Sequence, residues 1–259
     1  MSPKSAPTPR KASPARSAAT APSGKAIQPA RTVKRDPEKT QARILQAATA
    51  EFAAKGYSGA RTEQIAKRAK SNIRMLYHYH GNKDALYTRV LEDVLARLRE
   101  QELQLALDDA EPLPGLLQLF DFIDGHFSAH PELLQLLAFE NLSKASHLRK
   151  STRIAQQASP VLDLIGRLLQ RGQAEGLFRP GIDALHLYVA MVSLAYYGKS
   201  HAHTLSRIFQ VDLLAPGWQA EHREQSHLML EGFLKLPAPK AAGKTARKPA
   251  RHASGKASA

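Results

Sequence analysis

The stretch RTEQIAKRAKSNIRMLYHYHGNKDAL, residues 61–86, decides how the rest of the chain is read. Ile65, Ala66 and Ala69 recur at helical spacing and predict a helix over about 62–69, with Thr62 as a candidate cap. Lys70 and Ser71 interrupt the apolar pattern. Asn72 is then suited to accept a hydrogen bond from the free amides of a second short helix, ending near Tyr79. Asn82 is suited to cap a third, with Asp84 in its first turn, where a negative charge meets the positive end of the helix dipole. Two short helices joined by a tight polar turn make a helix-turn-helix, which can lay its second helix in the major groove of DNA.

Outward from this stretch the pattern stays helical. Asp36, Pro37 and Glu38 combine a cap, a first-turn proline and a first-turn acid. Ile44, Leu45, Ala48 and Phe52 follow at helical spacing, and Gly56 is placed to end that helix. After Asn82 a long helix carries Leu86, Val90, Leu91, Val94, Leu95, Leu98 and Leu105 on its apolar side. Further helices are predicted over about 116–127, 131–144, 151–175, 183–200 and 221–236, and no stretch alternates as a strand does. The expected fold is all-α: a three-helix helix-turn-helix domain at 36–98, then a helical ligand-binding and dimerisation bundle at 99–236.

Charge divides the chain differently. The formal net charge is +14, and residues 1–35 hold eight Lys/Arg while 237–259 hold six, neither segment with an acid. These two ends account for the whole excess. Both are rich in Ala, Pro, Ser and Lys, too poor in large apolar groups to offset the entropy of ordering, and are expected to be disordered basic tails. Between them the chain is neutral but polarised: 36–90 carries ten basic and five acidic residues, the remainder an acidic excess. A basic end suits phosphate, whose binding is salt-dependent and sequence-blind.

Other functions find little support. There is no cysteine, so disulfides and thiolate metal sites are excluded. No apolar run approaches the ~18–20 residues that span a bilayer, and a soluble cytoplasmic protein without a membrane partner is expected. His126 and His130 have the spacing of two ligands on one helix face but lack a third, so no metal or other cofactor is expected. There is no phosphate loop, nucleophile motif or carboxylate–histidine metal set, hence no catalytic residue and no enzyme.

Residues 38–98 resemble the TetR/AcrR family of bacterial transcriptional regulators. The resemblance rests on Arg43-Ile44-Leu45, Ala47-Ala48, Phe52, Gly56-Tyr57, Ile65-Ala66, Ala69, Leu76-Tyr77, Tyr79, Lys83 and Ala85-Leu86. It implies a homodimer that binds a palindromic double-stranded operator, usually as a repressor, and releases it when a small-molecule inducer binds. Less closely, His130-Pro131-Glu132-Leu133, Phe139-Glu140-Asn141-Leu142 and the stretch from Ser200 through Phe209 to Leu213 look like the regulators that sense pyrimidines or nicotinate-like acids. That points to a small heterocyclic or aromatic acid as inducer. The sequence departs from the family at Lys70, where Gly is usual in the turn, at His80, where a core Phe is usual, and at Arg61, where Ser or Thr usually precedes the second helix.

The DNA-facing candidates are Arg61, Thr62, Asn72, Ile73, Arg74, Tyr77, His78, Tyr79 and Lys83. Asn72 exposes helix amides toward phosphate. Ile73 and Arg74 lie in the first turn, and an arginine there can chelate guanine O6 and N7. Tyr77 and His78 are expected to face the groove or the backbone. The resemblance gives Tyr79 and Lys83 phosphate contacts, and Arg61 and Thr62 can reach a phosphate from the start of their helix. For the inducer, Glu140 and Asn141 stand out as polar groups in an apolar helix, and they are grouped with Tyr196, Tyr197, His201 and Trp218. A buried structural network is the competing reading of Glu140 and Asn141. The apolar faces of 183–200 and 221–236 match the family's dimer helices. The competing function is an architectural DNA-binding protein acting through its basic tails.

Overall fold

The computed structural model describes residues 36–235, apart from the side chains of 155–159. The two basic tails lie outside the described residues. Ten α-helices follow one another: α1 Pro37–Gly59, α2 Thr62–Arg68, α3 Ile73–His80, α4 Lys83–Gln104, α5 Pro112–Ala129, α6 Pro131–Leu142, α7 Arg153–Ala174, α8 Ala184–Ser200, α9 Ala202–Phe209 and α10 Pro216–Lys235. Single 3-10 turns at Leu107–Asp109 and Leu148–Lys150 complete the secondary structure, and no strand occurs among the described residues.

The helix starts follow the caps in the sequence. The Asp36 carboxyl accepts from the amides of Glu38 and Lys39 at 3.2 and 3.3 Å. Asn72 accepts from Met75 at 2.9 Å, Asn82 from Ala85 at 2.8 Å and Asp183 from His186 at 2.9 Å. Each such cap is worth ~1 kcal/mol and fixes where a helix begins. Thr62 differs from the expectation. Arg61 holds the cap position without a side-chain bond, and Thr62 is the first helical residue, buried, its hydroxyl 3.2 Å from the Tyr77 hydroxyl.

Helices α1–α4 form a head around Ile44, Phe52, Ile65, Leu76, Leu86 and Leu91, all fully buried. Helices α5–α10 form a body around Leu119, Phe120, Ile123, Leu136, Ile165 and Met191. The two cores are continuous. Helix α4 runs unbroken through residue 98 and packs on α7, while α1 packs on α6 and α5 on α8. The expected boundary at 98 therefore falls inside one rigid helix. Helix α9 lies beyond the helices expected from sequence; Ala202, Leu205, Ile208 and Phe209 recur along it at helical spacing, with Ala202 buried and Ile208 and Phe209 exposed.

Gly56 determines how α1 meets the body. Its backbone sits at φ 66°, ψ 178°, a region open essentially to glycine alone, and it breaks α1 one turn before its end. A methyl group there would lie 2.9 Å from ring carbons of Phe139 on α6. Gly56→Ala is expected to lower the unfolding free energy by at least about 2 kcal/mol, adding backbone strain to overpacking. Urea titration measures this, and an unchanged midpoint would show that the close approach carries no energy.

Candidate nucleic-acid interface

Helix α3 has two sharply different sides. Leu76 and His80, four residues apart, point into the head, at 0% and 8% exposure. Arg74, Tyr77 and His78 point outward, with Ile73, Met75 and Tyr79 half-buried along the flanks. The Asn72 cap leaves the other first-turn amides of α3 open beside these side chains. Arg61, Lys67, Arg68 and Lys70 are exposed on and around α2, which packs on α3, with Glu63 the one exposed acid among them.

The turn before α3 is tight. The Lys70 amide donates to Lys67 O at 3.1 Å and the Ser71 amide to Ala66 O at 3.0 Å. This closure requires Lys70 to adopt φ 49°, the left-handed conformation for which glycine is the ready solution. The Thr62–Tyr77 contact ties the start of α2 to the middle of α3. Lys83, at the first position of α4, rests its ammonium group 4.9 Å above the ring of Tyr57, and His78 and Tyr79 meet edge-on at 5.3 Å.

The inducer candidates do not gather into one site. Glu140 is 1% exposed and accepts from the amides of His147 and Leu148, both at 3.2 Å, with His147 Nδ1 2.9 Å from its other oxygen. It faces the head rather than a cavity. Asn141 is exposed. Tyr196 packs its ring on Phe127, with its hydroxyl 3.5 Å from Leu134 O. Tyr197 and Trp218 do converge, on an open groove of about 590 Å³ shared with Leu194, Phe209, Leu213 and His222, and His201 stacks on Tyr197 at 4.4 Å.

A second cleft, of about 360 Å³, lies between α5, α6 and the end of α8, lined by Phe127, Pro131, Leu134, Lys199, His203 and Gln219. Lys199 pairs there with Asp124, both nearly buried. Lys199 is the single charged side chain of α8, and a lone cation in an apolar helix is the signal by which the sequence marks this cleft. A further buried cluster joins Arg99 and Glu102 of α4 to Tyr188 of α8, whose hydroxyl donates to Glu102 at 3.1 Å. Burial raises the Glu102 carboxyl above its ordinary range, against the lowering effect of Arg99.

Two family descriptions match the chain in register with this architecture. "Bacterial regulatory proteins, tetR family" covers residues 44–90, and "Tetracyclin repressor-like, C-terminal domain" covers 112–229. The HTH-type transcriptional repressor NicS of Pseudomonas putida is 40% identical over 176 residues, 68% of this chain and 83% of NicS. The chain belongs to the TetR family. The HTH-type transcriptional repressor SCO4008 of Streptomyces coelicolor is 35% identical over 172 residues, 62% of this chain and 80% of that one. Among solved structures, the Streptomyces coelicolor regulator SCO4942 aligns with a TM-score of 0.55 at 25% identity, over 73% of this chain and 97% of that one. A Mesorhizobium loti structure described as a TetR-family regulator aligns at 0.57 and 22% identity, over 76% and 96%, and shows the shared fold. This TetR-family chain is thus a helix-turn-helix transcriptional regulator and not an enzyme, and its relatives are repressors. No helix among the described residues is long and apolar enough to cross a membrane.

The family position usually held by Phe is the buried His80. Burial pushes its pKa below the ordinary 6.5, with Arg89 adding to the shift, and its Nε2 has no hydrogen-bond partner among the described residues. His126 is lowered to about 4, chiefly by burial. The unfolded chain takes up these protons near pH 6.5, the native chain only lower. Their contribution to stability is therefore full above pH 6.5 and is lost as pH falls toward the native values. The urea midpoint is expected to be lower at pH 5.5 than at pH 7.5, with a smaller difference in His80→Phe. Equal differences in the two proteins would remove His80 from the account.

Proposed function

We propose that the chain is a homodimeric repressor that reads an inverted-repeat operator with α3 and is released by a small-molecule inducer. The observation that carries the reading is the outward face of α3, where Arg74, Tyr77 and His78 stand beside open helix amides, with exposed cations on the adjoining α2 and turn. In this reading Ile73 and Arg74 meet base edges, and Arg74 discriminates guanine by ~1–3 kcal/mol. Tyr77 and His78 meet groove or backbone, and Arg61, Asn72, Tyr79 and Lys83 meet phosphates. Thr62 is buried with its hydroxyl on that of Tyr77, so it acts chiefly by orienting that tyrosine.

Dimerisation is supported by the uncovered apolar faces of α8 (Leu185, Val189) and α10 (Leu228, Met229), all more than half exposed. Helices of this kind paired across a two-fold axis would set two copies of α3 into successive major grooves, roughly 34–36 Å or a multiple apart. For the inducer, the cleft beside Lys199 offers apolar walls and a few polar groups, the make-up of a small-molecule site, and suits a small heterocyclic or aromatic acid. Of the residues first grouped with the inducer, Tyr197, His201 and Trp218 border the neighbouring groove. Inducer and operator must then weaken each other by the same factor.

Selection of bound DNA from a random pool tests the reading. The chain is expected to recover an inverted repeat, with or without residues 1–35 and 237–259. Arg74→Ala should relax one base position, and Lys83→Gln should weaken all sequences alike while reducing the salt slope by about one. Recovery of no consensus, with affinity lost on removing the two basic ends, would favour the architectural alternative.

A further inference from the structure

His147, in the connection between α6 and α7, touches both sides of the junction between head and body. Its Nδ1 lies 2.9 Å from Glu140 on α6, and its Nε2 lies 3.4 Å from Asp84 in the first turn of α4. Its ring meets Tyr57 near the end of α1 at 4.4 Å and Tyr87 of α4 at 4.7 Å. Glu140 fixes it, since the same carboxyl also accepts the amides of His147 and Leu148. The connection is drawn tightly over the end of α6: Lys144 and Ala145 both take left-handed conformations, at φ 54° and 56°, and the Ala145 amide donates to Glu140 O at 2.7 Å. Lys150 adds a second tie to Asp84 at 2.6 Å.

We propose that His147, held by Glu140, is the positioning residue that fixes the helix-turn-helix on the body and thereby sets the half-site spacing the dimer accepts. Only Gly81 and Asn82 separate α3 from the first turn of α4, so whatever holds Asp84 and Tyr87 also orients α3. A buried acid and a histidine suit this task better than apolar packing. They have one geometry in which both are satisfied, and losing either leaves the other unpaired in a buried place. Tyr57 extends the arrangement outward, because the ring against His147 also underlies Lys83.

The inference rests on the proposed operator reading, and its test keeps the two apart. The inverted repeat recovered by the full chain is compared with one carrying two extra base pairs between half-sites, and with a single half-site. Wild type should prefer the native spacing by about fivefold or more. Glu140→Gln keeps the shape of the side chain, and His147→Phe keeps the stacking on both tyrosines. Each should bring the spacing preference close to one while leaving half-site affinity unchanged. In wild type, operator binding should also slow hydrogen exchange at the amides of His147 and Leu148, a readout that needs no variant. Folded, dimeric variants with the wild-type preference would overturn the inference, as would exchange at those amides indifferent to DNA. Wild type without any spacing preference would instead overturn the operator reading, and this inference with it.

Discussion

The structure depends on how closely the end of α6 approaches the backbone of α1. Phe139 lies against Gly56 at a distance that leaves no room for a side chain, and Gly56 takes a conformation that side chains resist. One residue later, Glu140 reaches between α1 and α4 into the only buried acid–histidine pair among the described residues. An apolar contact and a polar one thus meet at the same junction. The first limits how near head and body come, and to the second we assign the angle at which they meet. Helix α4 carries that angle in both directions, since it begins at the recognition helix and ends against the buried Glu102–Tyr188 contact with α8.

The outer face of the head follows from local chemistry. Asn72 and Asn82 fix where α3 and α4 begin, and Leu76 and His80 fix which side of α3 faces inward. What remains outside is polar and cationic. The head thus presents a charged surface of defined orientation, whereas the excess charge of the chain lies in its two ends. In the proposed reading two tasks are separate: charge draws the head to phosphate, and a few placed side chains choose among sequences.

Much of this was legible in the sequence because it was local. The caps at Asp36, Asn72 and Asn82 and the break at Gly56 each need only a few neighbouring residues to be read, whereas Lys70 stood out only against the glycine usual in the family. What escaped was non-local. Thr62 looked like a cap until its partner fifteen residues away was in view. Glu140 was visible as an odd acid in an apolar helix, but its partner His147 lies in a connection with no periodic pattern. Lys199 is the one charge of α8 and Asp124 one of two acids in the apolar α5, and only the packing of α5 on α8 brings them together. Helix α9 is the exception, a local apolar pattern of only eight residues directly after α8, short enough to merge with it in a reading by periodicity.

The central claim is that the body holds two recognition helices at one fixed separation. The chain has no cysteine, so Gln64→Cys places one spin label on α2, beside the recognition helix, of each copy and nowhere else. Double electron–electron resonance then measures the distance between the two helix-turn-helix heads. The account predicts a single narrow distribution in the operator complex, near one helical turn of DNA, roughly 34–36 Å, or a multiple of it, allowing for the label arms and the offset of α2 from α3. It also predicts that the inducer moves or broadens this distribution. A broad distribution on the operator, or the absence of any inter-copy distance, would contradict it.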